Sequence, residues 1–196
     1  MPAEKSYTIR SAHNEDLPTL RTIEQAAAQL FRATPYAWIG DDDGMSLADL
    51  DHWLTSGKIW VVVDAGDTPV GFAIARAVDN TAYLHEIDIH PQHGRQGLGT
   101  HLIEAVTAWA RENDYLTVTL STFSDVPWNA PYYQRLGFHI LEEAALGPGL
   151  QEVRAHEAAT GLPIERRVCM ARAVTPLSWE QVITHIGTNH NLGNIT

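Results

Sequence analysis

The stretch that decides the fold runs from Tyr83 to Asn113: YLHEIDIH over 83–90, PQHGRQGLG over 91–99, and THLIEAVTAWAREN over 100–113. The first part reads as a strand stopped by Pro91. The last places Leu102, Ile103, Val106, Trp109 and Ala110 on one apolar stripe, which predicts an amphipathic helix from Thr100 to Asn113. Between them lies a glycine loop. Strand, glycine loop and helix start in that order make an anion cradle, because bare peptide N–H groups and the positive helix end converge where side chains are absent. Residues 94–100 are that cradle.

Known phosphate loops do not fit it. A dinucleotide loop wants Gly-x-Gly-x-x-Gly, whereas the spacing here is Gly94-x-x-Gly97-x-Gly99. A nucleotide-triphosphate loop ends in Gly-Lys-Ser/Thr, a tripeptide absent from the chain. Glycines serving only a tight turn are the plain alternative.

Outward from this centre the pattern is of one domain without internal repeats. Tyr7 to Arg10 reads as an opening strand, and Asn14 as the cap of a helix carrying Leu17, Leu20, Ile23, Ala27 and Leu30. Phe31 to Gly44 reads as a loop, and Ser46 to Thr55 as a helix with Leu47, Leu50 and Leu54 on one face. Ile59 to Val63 and Val70 to Ala75 form a hairpin. Beyond the central helix come a strand at Leu116 to Leu120, a short helix from Asn129 to Leu136, and a strand at Phe138 to Leu141. A connection over 142–165 follows, then Arg166 to Val174 as the strand closing the sheet. The tail from Thr175 holds a helix capped at Ser178, with no assignment to the core.

Of 196 residues, 44% are hydrophobic and 19% charged, so a packed core can form. Thirteen Lys and Arg against 24 Asp and Glu give a net charge of −11, which argues against sequence-blind nucleic-acid binding and favours a cationic substrate. The single cysteine, Cys169, excludes an internal disulfide and a cysteine-rich zinc site and suits a reducing cytoplasm. Neither a signal-peptide pattern nor an apolar run of membrane-spanning length is visible, so a cytoplasmic protein without membrane contact is expected.

His85-Glu-Ile-Asp-Ile-His-Pro-Gln-His-Gly-Arg-Gln-Gly-Leu-Gly99 and Trp128-Asn-Ala-Pro-Tyr-Tyr-Gln-Arg-Leu-Gly-Phe138 together resemble the GNAT superfamily of acyl-CoA-dependent N-acyltransferases. The first is similar to the family's pyrophosphate motif and the second to its helix bearing a tyrosine. The resemblance covers Tyr7 to Val174 and departs at Gly94, where the family often has Gln or Arg. It implies an α+β fold with a mixed, mostly antiparallel central sheet flanked by helices, splayed between two strands to admit CoA. It makes residues 1–174 the N-acetyltransferase domain and 175–196 a tail. Main-chain groups of Ile87, Asp88 and Ile89 would pair with the pantetheine arm. The diphosphate would lie over Gly94, Arg95, Gln96, Gly97, Leu98, Gly99 and Thr100, and Asn129 would cap its helix or touch the cofactor.

The reaction so implied moves an acetyl group from acetyl-CoA, a co-substrate, to a primary amine by direct attack. An alkyl ammonium has a pKa of about 10.4, so a base must take its proton near pH 7. His85 is the first candidate, on an imidazole's titration range and its position in the motif; Glu86 is the second, as base or as a partner for the ammonium. Strand alternation would send these two to opposite faces. Each also has a structural reading: Glu86 as a loop cap, His85 as a strand residue filling space with one hydrogen bond. Tyr133 matches the family tyrosine that would donate to the leaving thiolate, and is also readable as packing beside Leu136 and Phe138. The oxyanion would be met by a main-chain N–H near Ile87 or Asp88, left open by a bulge. Cys169 reads as a small buried apolar residue.

Tyr36 and Trp38, with Asp41 to Asp43, are candidates for an aromatic and acidic acceptor mouth, a solvated loop being the plainer reading. His85, His90, His93 and His101 make no recognised metal spacing, so no metal is expected. The expected acceptor is a small-molecule amine. A protein N-terminus or lysine, or a non-catalytic acyl-CoA-binding module, are the alternatives. A homodimer docked through the tail is compatible with the sequence and required by nothing in it.

Overall fold

The computed structural model describes residues 6–175 and 179–187. Seven strands form an open mixed sheet: β1 (Thr8–Ser11), β2 (Lys58–Val63), β3 (Pro69–Val78), β4 (Thr81–Ile89), β5 (Thr117–Phe123), β6 (His139–Ile140) and β7 (Arg167–Ala173), in the order β1-β2-β3-β4-β5-β7-β6. The pairs β1·β2, β2·β3, β5·β7 and β6·β7 are antiparallel, and β4·β5 is parallel. The expected α+β class with a mostly antiparallel sheet is what the chain adopts. Its residues divide into two compact units, one built from the chain up to Arg76 with His85–Val106, the other from Ala77–Leu84 with the chain from Thr107 onward.

The first unit packs helices α1 (Leu17–Ala28) and α2 (Leu47–Ser56) over its strands. Leu20, Leu50, Val61, Phe72 and Ile74 are fully buried there. The α1 stripe is real over Leu17, Leu20, Ile23 and Ala27, but Leu30 lies beyond the helix and is exposed. Asn14 does not cap α1. It sits in a 3-10 turn, and the carboxylate that organises the entry is Asp16, which accepts the His13 N–H at 2.7 Å and the N–H groups of Arg10 Nη1 and Nη2 at 2.7 and 3.0 Å. Ser46 does cap α2, accepting the Asp49 N–H, while the Asp49 carboxylate accepts the Ser46 N–H in return. Leu47 is exposed, so the inward face of α2 rests on Leu50, with Trp53 and Leu54 packed beside it. The 31–44 stretch is not plain loop: 3-10 turns occupy Gln29–Ala33 and Ala37–Asp41.

In the second unit the core gathers Tyr83, Leu150, Cys169, Ala171, Val182 and Ile186. Arg167–Ala173 does not close the sheet, because β6 lies outside it at the edge. The connection over 142–165 contains a further helix, α5 (Pro148–Ala159), after α4 (Ala130–Arg135). Only Leu150, Val153 and Glu157 of α5 are buried, and with a carboxylate in the third inward position the helical period is too weak to read. Its first turn is capped from afar, the Asp79 carboxylate accepting the N–H groups of Gly149 and Leu150 at 2.8 and 3.2 Å. The tail helix α6 (Trp179–Gly187) puts Val182 and Ile186 into this core; the expected cap at Ser178 lies outside the described residues.

Helix α3 (Leu98–Glu112) starts two residues earlier than the sequence suggests, so Leu98, Gly99 and Thr100 form its first turn. No described helix is long and apolar enough to cross a membrane.

Candidate active site

The phase of hydrogen bonding along β4 is the central feature. Leu141 N–H donates to Cys169 O, so Cys169 faces β6, and Val168 and Met170, with their partners Thr122 and Leu120, take up the β5·β7 bonds. Ser124 N–H on Arg166 O keeps the same phase. Thr119 and Ser121 therefore turn their peptide groups toward β4, and Leu84, set against Leu120, faces them. In a regular strand His90, six residues on, would face the same way. Instead its N–H donates to Val70 O on β3 at 2.9 Å. One residue is thus inserted between Leu84 and His90, which is a β-bulge. On β3 the accommodating residue is Gly71: a Cβ there would lie 2.8 Å from Asp88 O and 2.3 Å from Ile89 Cδ1.

Two side chains of this segment bear on the site. His85 is exposed and stacks on Trp53 of α2, ring centroids 4.3 Å apart. Asp88 is half-buried, and its carboxyl is held well above the usual carboxylate range, chiefly by lost hydration, then by repulsion from Glu86 and Glu24. Glu24 on α1 is itself raised, mainly by burial, although its two oxygens accept the Met45 N–H at 3.1 and 3.0 Å. Glu86 is half-buried beside them.

Directly after β4, His90 N–H is fixed to β3, His93 N–H returns to His90 O, and Gly94 N–H to Pro91 O. His93 Nδ1 and Tyr7 OH share a hydrogen bond of 2.9 Å. Past Gly94 the chain turns into the first turn of α3 with the N–H groups of Arg95, Gln96, Gly97, Leu98 and Gly99 given no acceptor in the described structure. Gly97 has φ +76°, and Arg95 takes φ +58°, a conformation that costs a side-chain-bearing residue energy. Residues 94–97 are exposed. A Cβ on Gly97 would meet nothing within 4 Å, so the space beside this glycine is open.

In the second unit Tyr133 on α4 is 8% exposed, its ring edge-on to Phe138 at 5.6 Å and to Tyr132 at 5.4 Å. Asn129 makes no side-chain cap; its carbonyl instead accepts the N–H groups of Tyr132 and Tyr133. Tyr36 is buried at 6% and Trp38 exposed at 44%, so of this pair Trp38 presents surface. Asp41 pairs with Arg32, and Asp42 accepts the Gly44 N–H, so two of the three aspartates are engaged in local structure. Cys169 is buried, its thiol pushed up to about 11 by burial. Among the described residues no group of three or more His, Cys, Asp or Glu is placed to hold a metal ion.

Sequence reasoning missed Trp53, Glu24 and the side chain of Asp88. Trp53 lies one turn from Leu50 on the apolar face of α2, a signal that reads as core. Glu24 and Asp88 meet only through the tertiary fold.

Comparison with known proteins bears on these features. Residues 20–138 match the model of the acetyltransferase (GNAT) family. Among solved structures, the chain superposes on the PaiA N-acetyltransferase of Thermoplasma acidophilum, in complex with coenzyme A, with a TM-score of 0.63 at 16% identity, covering 86% of this chain and 99% of that one. The ribosomal-protein-S18-alanine N-acetyltransferase of Escherichia coli gives 0.59 at 22% identity over 89% and 97%. The N-acetylglutamate synthase of Neisseria gonorrhoeae, complexed with coenzyme A and N-acetyl-glutamate, gives 0.64 at 16% identity, over 88% of this chain and 36% of that one. With more than half its length matched by the family model, and with a bulged β4 running into an open amide cradle, the chain belongs to the GNAT acetyltransferase family, whose co-substrate is acetyl-CoA.

Proposed function

We propose that this protein moves the acetyl group of acetyl-CoA onto the primary amine of a small molecule by direct attack in a ternary complex. The observation that carries the proposal is the inverted phase of β4 running straight into the open amides of residues 95–99. In this reading the main chain of Ile87, Asp88 and Ile89 binds the pantetheine arm, and Gly94 to Thr100 hold the diphosphate, with Arg95 adding a guanidinium. Asn129 contributes to the coenzyme from the start of α4. A β4 N–H freed by the bulge stabilises the oxyanion.

His85 takes the proton of the incoming ammonium, with the Trp53 ring limiting where its imidazole can sit. Glu86 is the alternative base, or holds the ammonium electrostatically. Tyr133 donates to the departing thiolate, whose parent thiol resembles cysteine with a pKa of about 8.5. Trp38, and Tyr36 behind it, belong to the acceptor side. The catalytic domain is 1–174 and the site of action the reducing cytoplasm, to which a lone buried cysteine is suited.

The test is thiol release from acetyl-CoA against a panel of small amines and of peptides. Turnover with small amines is the expected result. Turnover with peptides alone would move the acceptor to a protein, and CoA binding without turnover on either panel would make the chain a binding module.

A further inference from the structure

We infer that Tyr7, just ahead of β1, is a positioning residue for the coenzyme, because its side chain holds His93 and with it the turn from which residues 94–100 depart; the inference rests on the acetyl-CoA reading above. Tyr7, His93 and residues 94–100 all belong to the first unit. Within that unit β1 enters the sheet at Thr8, paired with Val63 of β2, and Val63 is set against Pro69 of β3. The next residue, Val70, accepts the His90 N–H. Tyr7 and the end of β4 therefore lie at the same end of the sheet, three strand spacings or about 14 Å apart. Two long side chains meet across that gap: Tyr7 OH and His93 Nδ1 share a hydrogen bond of 2.9 Å, and their rings stand edge-on with centroids 5.8 Å apart. Both residues are half-buried.

His93 is the last residue of the 3-10 turn Pro91–His93. That turn is tied by His93 N–H to His90 O at 2.8 Å, Gly94 N–H to Pro91 O at 3.1 Å, and Gln92 N–H to His90 Nδ1 at 3.3 Å. The His90 ring stands edge-on to that of His93 at 6.2 Å. The chain leaving the turn is then driven to positive φ at Arg95, +58°, and at Gly97, +76°. Such a conformation at a residue with a side chain persists where its surroundings over-determine it. A three-residue turn supplies few restraints of its own, and the tyrosine adds one from 86 residues away. Peptide groups fixed before a ligand arrives spare the complex part of the entropy of ordering them. Tyr7 thus acts on coenzyme affinity at one remove, through His93.

The experiment titrates CoA calorimetrically into wild type, Tyr7→Phe, His93→Ala, His93→Asn and Tyr7→Phe/His93→Ala. Phenylalanine removes only the hydroxyl, and asparagine keeps a hydrogen-bonding atom close to the Nδ1 position. The CoA Kd is expected to rise about three- to fivefold in Tyr7→Phe and in His93→Ala, to rise no further in the double variant, and to stay within about twofold of wild type in His93→Asn. With the best amine of the panel, acetyl-CoA KM should follow Kd while kcat stays within about twofold. In coenzyme-free Tyr7→Phe, hydrogen exchange at the His93 and Gly94 amides should quicken about threefold, and that at Leu102 within α3 should keep its rate. A wild-type Kd in Tyr7→Phe overturns the inference, as do losses that add in the double variant or a loss in His93→Asn equal to that in His93→Ala. Wild-type protein that gives no heat with CoA would instead sink the acetyl-CoA reading, and this inference with it, before any variant is made.

Discussion

The ring of His85 on β4 lies 4.3 Å from that of Trp53 on α2, the two planes 33° apart, so a helix side chain defines where a strand imidazole can point. If His85 is the base, this contact is part of the catalytic apparatus. Trp53→Leu, which keeps bulk but removes the flat face, should lower kcat/KM for the acceptor by about three- to tenfold and leave the acetyl-CoA Kd unchanged, with Trp53→Phe close to wild type. His85→Ala should depress the acidic limb of the pH–rate profile by about tenfold or more; a profile like wild type would move the role to Glu86 or water.

Tyr133→Phe keeps the ring that packs edge-on to Phe138 and removes only the hydroxyl. Steady-state kinetics should show kcat lowered by about a hundredfold with acetyl-CoA KM little changed. An unaltered kcat would leave the tyrosine a packing residue.

Asp88 offers a test by pH. Its carboxyl is raised by lost hydration and by Glu86 and Glu24, so the folded protein binds its proton more tightly than the unfolded chain does. The associated stability is full below the unfolded carboxylate pKa of about 3.9 and is lost as pH rises through the raised folded value. Asp88→Asn should therefore raise Tm at pH 8 by about 3 °C or more and flatten the fall in Tm between pH 5 and pH 8. Glu24, raised in the same direction, should leave a residual slope. A steeper fall in the variant would contradict the assignment.

Gly71→Ala probes the bulge. The Ile89 methyl can swing away from a new Cβ, but Asp88 O, 2.8 Å off, belongs to the main chain. A cost of about 1–3 kcal/mol by denaturant unfolding is expected, together with weaker CoA binding. Gly66→Ala is the control: its Cβ would come no nearer than 3.4 Å to Asp64 Oδ1, and it should be close to neutral.

Cys169, with its thiol pushed up to about 11 and its side chain buried, should resist iodoacetamide at pH 8 in the native protein. Labelling should track global unfolding in urea; rapid native labelling would show an opening of β7 absent from the structure.

What could be read in the sequence had short range. The β-branched run of β2, the α3 stripe and the glycine loop each carry their period within a dozen residues, and all three were legible. Helix α5 was not, because one of its three inward positions is Glu157, whose partner Ser121 lies 36 residues away. The order of β6 and β7 was equally hidden, since strand adjacency leaves no mark in composition. At the site, the 85–100 segment was visible as a motif, whereas Trp53 was disguised as core and the raised carboxyl of Asp88 comes chiefly from hydration lost in the tertiary fold, then from Glu86 and Glu24.

The Asp79 carboxylate that receives two N–H groups at the start of α5 joins positions 70 and 71 residues apart in sequence. A helix with so weak an apolar stripe draws part of its persistence from a tight turn made much earlier in synthesis. During folding it should gain order only after the turn between β3 and β4 is in place, and damage to that turn should surface as fraying at Gly149.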